Sequence, residues 1–386
     1  MKIAVVHDYF TQLGGAEQVA MHLFHLMPNA DLFAAVSLPE QMPIGLRHVP
    51  VKTSWMQRLP NLGRYYREYF LLYPFGIEAL DLSGYDLIVS SSSGYGKGVR
   101  ARRDALHICY CHTPMRWAWR FGQYSERQEM GALKRTCLSM LAGTLRQWDL
   151  EASREPDHFI ANSKTVAERI LCTYGRHAEV IHPPINVERF RPAQEQQGHY
   201  LILSRLISYK RIDVAIEACN RLGRELLIIG EGPDRRRLEA IAGKTIRFAG
   251  RLPDAEVEYY ASRCRALLFP GEEDFGMVPL EVAAAGRPTV AFYGGGARET
   301  VIDGMTGVFF TDPTPESLAE AVLRIEGMSY SQDVLVRHAQ SFSIEAFEHR
   351  FRSFLTRVGV KIDPTEHASL PAAGPLELSC AVGTQA

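Results

Sequence analysis

The sequence predicts an α/β protein built of two doubly wound domains. Three observations carry that expectation. Short β-branched runs alternate with amphipathic stretches along most of the chain, the rhythm of a parallel sheet covered by helices. The rhythm breaks over 183–198 (PPINVERFRPAQEQQG), which is Pro-rich and polar, and then resumes. The length, 386 residues, exceeds the roughly 150 residues of an ordinary domain more than twofold.

The elements follow in order. In the first half, strands are expected at 2–6, 31–36, 86–90, 106–110 and 157–161. A helix is expected over 15–27, where Val19, Leu23 and Leu26 share a face at i, i+4 and i+7. The second series runs strand 199–203, helix 210–222, strand 225–229, helix 234–242, strand 245–248, helix 254–262, strand 265–269, helix 279–286, strand 288–292. Residues 313–357 read as helical, with Phe347, Phe351 and Phe354 on one face. The expected organisation is a first domain over 1–183, a linker over 184–198, a second domain over 199–341, a helix over 342–361 that packs back on the first domain and a disordered Pro/Ala/Gly-rich tail over 362–386. Ligands of such domains bind beyond the carboxyl ends of the strands, so a cleft between the two domains is the expected site.

Composition narrows the function classes. The net charge is −1, so a global nucleic-acid footprint is absent. No run of 18 uncharged apolar residues occurs, and MKIAVV is too short for a leader before His7-Asp8, so a cytoplasmic location is expected. The seven cysteines are an odd number, and several sit in apolar runs, as buried small hydrophobes do in a reducing compartment. Cys109 and Cys111 would share a strand face beside His112, but no second Cys or His pair supports a metal, and none is expected.

Three segments carry chemistry. The first, HDYFTQLGGAEQVA, runs from strand to helix through Gly14-Gly15, where backbone approaches a ligand closely and a helix start favours an anion. It is neither a P-loop nor G-x-G-x-x-G. The second, LSRLISYKRID, sets Arg205 and Lys210 in a loop before a helix, two cations suited to a diphosphate. A plain βα turn and a solvated basic turn account for each of these taken alone. The third, FPGEEDFGMVPLEVAAAGRPTVA (269–291), is the most specific. Glu273 and Glu281 stand eight apart around the start of a helix, with Pro279 suited to its first turn. The N–H groups of Met277, Val278 and Leu280 suit a phosphate, and a carboxylate suits vicinal sugar hydroxyls.

This third segment resembles the signature of glycosyltransferase family 4, retaining enzymes of the GT-B fold with two Rossmann-like domains. The resemblance extends from residue 1 to about 357. The GGAE loop, the Arg205–Lys210 pair, IIGEGPDRRRLE (228–239), FAGRLPD (248–254) and the E-x7-E block stand in the family's order. YCHTPMRWAW (110–119) and SYKRIDVAIEA (208–218) look more like bacterial mannosyltransferases that build exopolysaccharide and O-antigen on a lipid carrier. The resemblance implies that Arg205 and Lys210 bind the donor diphosphate and Glu281 the nucleotide ribose. It places Glu273 and the backbone of Phe275, Gly276 and Met277, with Val278 beside them, on the donor sugar. It brings Gly14 and Gly15 to the diphosphate and Gly250, Arg251 and Leu252 to the base. His112 matches the family's histidine near the reacting carbon, and Ser163 a serine at the domain junction. One departure is Arg211, where the family usually has glycine.

The implied reaction retains configuration, with a nucleotide-sugar donor, GDP-mannose from the subgroup, and a polyprenyl-diphosphate-linked glycan as acceptor. No carboxylate nucleophile is evident in the first domain, so same-face attack is expected, with the leaving diphosphate taking the acceptor proton. No Asp-x-Asp pair occurs, so the two cations are expected to replace a metal, and no cofactor is implied. Domain closure is expected to exclude water. Residues 97–120 hold Lys97, Arg100, Arg102, Arg103, Arg116 and Arg120 against one acid, Asp104. Residues 55–75 hold Trp55, Tyr65, Tyr66, Tyr69, Phe70, Tyr73 and Phe75 with Arg58, Arg64 and Arg67. Basic and aromatic surface suits the inner face of the cell membrane. A UDP-sugar enzyme of the same family, a sugar-nucleotide isomerase and a non-catalytic partner subunit are the alternatives. A dehydrogenase is disfavoured, because Arg235 falls where the third glycine after Gly230-x-Gly232 would stand.

Overall fold

The computed structural model describes residues 1–119 and 132–362, and these form two compact units. One comprises Met1–Ile181 with the chain from Arg352; the other is His182–Phe351.

The first unit carries a seven-stranded sheet, order β3-β2-β1-β4-β5-β6-β7. Its strands are β1 (Ile3–His7), β2 (Asp31–Ala34), β3 (Val51–Thr53), β4 (Leu87–Ser92), β5 (Leu106–Cys111), β6 (His158–Ala161) and β7 (Ala178–Val180). All pairings are parallel. β1 and β4 are buried along their whole length, which is why IAVVH and LIVSSS read as continuous runs and do not alternate. The strand order reverses between β1 and β4, where His7 lies beside Ser91 in register.

The second unit repeats the plan. Its strands are β8 (Tyr200–Leu203), β9 (Leu226–Ile229), β10 (Ile246–Gly250), β11 (Leu267–Phe269), β12 (Thr289–Phe292) and β13 (Gly307–Phe310). They form a parallel sheet in the order β10-β9-β8-β11-β12-β13. The reversal lies between β8 and β11. Both sheets therefore offer the ligand-binding position of open α/β folds at one defined place.

The structure departs from the sequence expectation in four ways. β3, β7 and β13 were not anticipated; each has three or four residues and lies at a sheet edge, where patterning is weakest. Residues 313–357 form three helices, Pro315–Glu326, Gln332–Gln340 and Ile344–Arg357, the first capped by Thr314. The expected linker is not free chain. Ile185 packs with Phe275, Leu280 and Phe342, and Phe190 enters the core of the second unit, so 184–190 folds into that unit. Their spacing follows no period, which hid them. Finally, the basic stretch 97–120 is only partly surface: Arg100, Arg102 and Arg103 are exposed, but Lys97 is not. Lys97 is 1% exposed and paired with the fully buried Asp149, which also accepts from Trp119 Nε1 and Tyr174 Oη, both at 2.7 Å. Arg100 pairs with Glu78 and Glu155, and Arg102 with Asp86 and Asp104. Arg120 and the tail from 363 lie outside the described residues.

Cys109 and Cys111 share a face of β5 and pack against Phe159, Ala161, Val166 and Ile170. No helix among the described residues is long and apolar enough to cross a membrane.

Candidate functional site

The second unit gathers one group of the expected site residues where its strand order reverses. β8 ends at Leu203, and the chain turns through Arg205 to a 3-10 turn, Ser208–Lys210, ahead of the helix Ile212–Leu222. The turn is held by the GEG segment: Leu206 N–H donates to the Glu231 carbonyl (2.9 Å), and Asp234 N–H to the Leu206 carbonyl (3.1 Å). A Cβ at Gly232 would lie 2.2 Å from the Leu206 carbonyl oxygen, so only glycine lets these loops meet. β11 ends at Phe269, and a Cβ on Gly271 would lie 2.7 Å from Lys210 Cα. That close approach brings Lys210 and Glu273 into an ion pair, with 14% and 20% of the side chains exposed. Arg205 remains exposed on the same turn.

The acidic loop is itself held from behind by a segment just beyond the motif 269–291. After β12 comes Gly294-Gly295-Gly296. Gly296 N–H donates to the Glu273 carbonyl (2.9 Å), and a Cβ on Gly295 would stand 2.1 Å from that oxygen. The triple glycine at a strand end was the available signal.

Gly276, at φ +87°, opens the helix Met277–Ala284, two residues earlier than expected, and no side chain caps that end. Phe275 is buried and stacks on His182 at 5.2 Å; His182 Nε2 is 2.9 Å from Glu299. Met277 and Val278 are half-buried in the first turn. Glu281 follows one turn on. Burial raises its carboxyl from 4.5 to about 6; Arg189 opposes the rise, and Asp254 and Glu273 add to it. Arg189, from the segment expected to be linker, bonds Asp254 (2.8 Å) and Glu258 (2.9 Å). Gly250, at φ +68°, closes β10 and accepts from Gly230 N–H (2.8 Å); Arg251 beyond it is exposed and Leu252 packs on the core. Arg211 stands in the left-handed region at φ +50°, which accounts for glycine being usual there. Its guanidinium is engaged by Asp213 (3.4 Å) and the Pro313 carbonyl (3.2 Å).

The remaining expected residues lie in the first unit. Gly14 is the N-cap of the helix Gly15–Leu26, and Gly15 is exposed at its start. His112 follows β5, is buried, and places Nε2 2.8 Å from Ser91 Oγ; its carbonyl accepts from Asn162 Nδ2 (3.0 Å). Ser163 is fully buried and caps the helix Lys164–Tyr174, accepting from Val166 N–H at 3.1 Å. A serine there serves the helix end whether or not it meets a ligand.

Comparisons with known proteins agree with this architecture. Residues 13–189 match the family model described as Glycosyltransferase Family 4, and residues 186–342 the model Glycosyl transferases group 1. An uncharacterized glycosyltransferase of Methanocaldococcus jannaschii is 27% identical over 200 residues, 50% of this chain and 56% of the relative. A GDP-mannose-dependent alpha-(1-6)-phosphatidylinositol monomannoside mannosyltransferase of Mycolicibacterium smegmatis is 27% identical over 192 residues, 42% of this chain and 50% of the relative. The chain thus spans about half the length of these curated relatives. The crystal structure of Anabaena Alr3699/HepE in complex with UDP superposes with a TM-score of 0.68 at 16% identity, covering 92% of this chain and 100% of that one. The two glycosyltransferase models thus match successive halves of residues 13–342, and the two units have the parallel, Rossmann-like sheets of the GT-B fold.

Proposed function

We propose that the protein is a retaining glycosyltransferase that takes a sugar, mannose from GDP-mannose, and adds it to a lipid-diphosphate-linked glycan at the inner face of the cell membrane. The observation that carries the transferase reading is the meeting of Lys210, Glu273 and the uncapped helix start at Gly276 where β8 and β11 part. A cation and free helix N–H groups suit a diphosphate; carboxylates suit sugar and ribose hydroxyls. Lys210 and Glu273 pair with each other, and donor binding exchanges that ion pair for two ligand contacts. Lys210 and Arg205 then stabilise charge on the leaving diphosphate, in the place a metal would otherwise take, and that diphosphate receives the acceptor proton. Loss of one such donor typically costs about 3 kcal/mol of barrier. His112 serves as a hydrogen-bonding partner of the donor sugar.

GDP-mannose is supported by the subgroup motifs and by the mycolicibacterial relative; the UDP held by the Anabaena structure supports a UDP-sugar instead. For the acceptor side, the surface of 55–75 supports the reading. Trp55, Tyr65 and Phe75 are exposed beside Arg58, Arg64 and Arg67, whereas Tyr73 is buried.

The test is binding and hydrolysis by the purified protein against GDP- and UDP-sugars with EDTA present. Selective turnover of GDP-mannose is the expected result. A UDP-sugar preference overturns the donor, dependence on a divalent ion overturns the metal-free mechanism, and absence of binding to every sugar nucleotide overturns the enzyme reading.

A further inference from the structure

The serines Ser90–Ser92 close β4 and are buried, and each of their three hydroxyls has a partner. Ser90 Oγ meets His107 Nε2 at 2.8 Å, and Ser92 Oγ donates to Asp8 (3.2 Å). Asp8 also accepts the backbone N–H groups of Ser93 (2.7 Å), Tyr95 (3.0 Å) and Gly96, which fixes the loop after β4. Ser91 stands between two histidines. His112 Nε2 is 2.8 Å from its hydroxyl; His7 Nδ1 is 3.1 Å from the same hydroxyl and 3.2 Å from the Ser91 carbonyl oxygen. Beyond His7, Nε2 lies 3.8 Å from a carboxylate oxygen of Glu17 in the GGAE loop. Glu17, His7 and Ser91 are each at most 2% exposed, and His112 is 7% exposed.

The proton order along this row follows from hydrogen-bond chemistry. A carbonyl oxygen only accepts, so His7 carries a proton on Nδ1. That N–H points its hydrogen at Ser91, and the Ser91 hydroxyl accepts from it. The single hydroxyl hydrogen is then directed to His112 Nε2, which must present its lone pair. His112 is thereby held with its ring proton on Nδ1.

We infer that Ser91 and His7 are positioning residues that hold His112 as the Nδ1–H tautomer, making it a hydrogen-bond donor through Nδ1 and withholding Nε2 from service as a base. The inference rests on the proposed role of His112 toward the donor sugar. It goes beyond that role by assigning which nitrogen acts and what sets it.

The experiment is nitrogen NMR of histidine-labelled full-length protein, with the His112 signals identified by their loss in His112→Asn. It is combined with nucleotide-sugar hydrolysis by Ser91→Ala and Ser91→Thr. The expected spectrum shows His112 protonated on Nδ1 and unprotonated on Nε2, and Ser91→Ala mixes the two tautomers. Ser91→Ala is expected to lower kcat about tenfold with donor KM unchanged, and Ser91→Thr to restore most of it. Protonation of His112 on Nε2 in the unsubstituted protein, or an unaltered tautomer and kcat in Ser91→Ala, overturns the inference. The spectrum of the unsubstituted protein depends on no substitution at Ser91 or His7. If no sugar nucleotide is bound, the transferase reading fails while the tautomer is still read directly.

Discussion

Lys210 and Glu273 are separated by 63 positions and make one ion pair, so each is expected to matter in a different way. Lys210→Ala should lower kcat by about 10²–10³, because the lost charge acts mainly on the leaving group. Glu273→Gln should raise donor KM as well, since in the proposed mechanism its carboxylate meets the sugar before reaction. A steady-state comparison of the two variants checks this. Glu281 provides a pH test. Its folded carboxyl titrates near 6, raised from 4.5 by burial, so it holds its proton below that pH. Under the proposed role of Glu281, ribose hydroxyls of the donor donate to the ionised form. Donor affinity should therefore be full above about pH 6 and fall as the pH drops through it, and Glu281→Gln should flatten the profile. Titration calorimetry across pH 5–8 reads both outcomes. Lys97 has a different duty: burial pushes its ammonium down, but Asp149 beside it is foremost among the groups that hold it raised, so the ammonium stays charged inside the first unit. Removing one member of such a pair typically costs about 3–5 kcal/mol, and Lys97→Ala should show that loss in denaturant unfolding.

At the scale of elements, the loops after β8, β11 and β12 fit together only through glycine. Gly230, at φ +134°, would also place a Cβ 1.9 Å from the Ser204 carbonyl oxygen. Gly230→Ala and Gly295→Ala should each destabilise the second unit by about 2–4 kcal/mol, through backbone clash and left-handed strain. They should weaken donor binding too, because the displaced loops carry Arg205 and Glu273. Thermal unfolding with and without donor separates the two effects. These glycines also show how much was legible. The motifs within 203–213 and 269–291 were readable because chemistry-bearing residues cluster locally in the chain. The support from Gly294–Gly296 and from Gly271 was not read, because what a glycine permits depends on which strand lies across from it. Interior strands were legible as apolar runs, whereas the edge strands β3 (VKT) and β7 (AEV) are three residues long and carry no such run.

At the scale of the whole molecule, stability should fall in mild acid. His107 is buried, and burial lowers its pKa from 6.5 to about 4, with Asp157 partly opposing. The unfolded chain takes up this proton below 6.5 and the folded chain only below 4. The contribution is therefore complete above pH 6.5 and lost as the pH falls towards 4, by about 3 kcal/mol. His107→Asn should reduce that slope in pH-dependent denaturant curves. The exposed aromatic and basic residues of 55–75 make a second prediction at this scale. Trp55→Ser with Phe75→Ser should abolish binding to anionic lipid vesicles in a sedimentation assay, and added salt should weaken what the arginines contribute.

The sequence by itself determined the two-domain α/β plan, the strand and helix order through most of the chain, and the residues that carry the glycosyltransferase motifs. Periodicity, β-branched runs and glycine at turns act over a few neighbouring residues, so they survive in a linear reading. Only the tertiary structure decided which polar groups meet: Lys210 with Glu273, Arg189 with Asp254, Lys97 buried on Asp149, and His112 at the end of a row that begins at Glu17. It also folded the Pro-rich segment into the second unit through Ile185 and Phe190. The physical reason is the same in each case. Desolvation and hydrogen-bond pairing are set by contacts between distant segments, and the pattern along a chain encodes which face is buried but not what it is buried against.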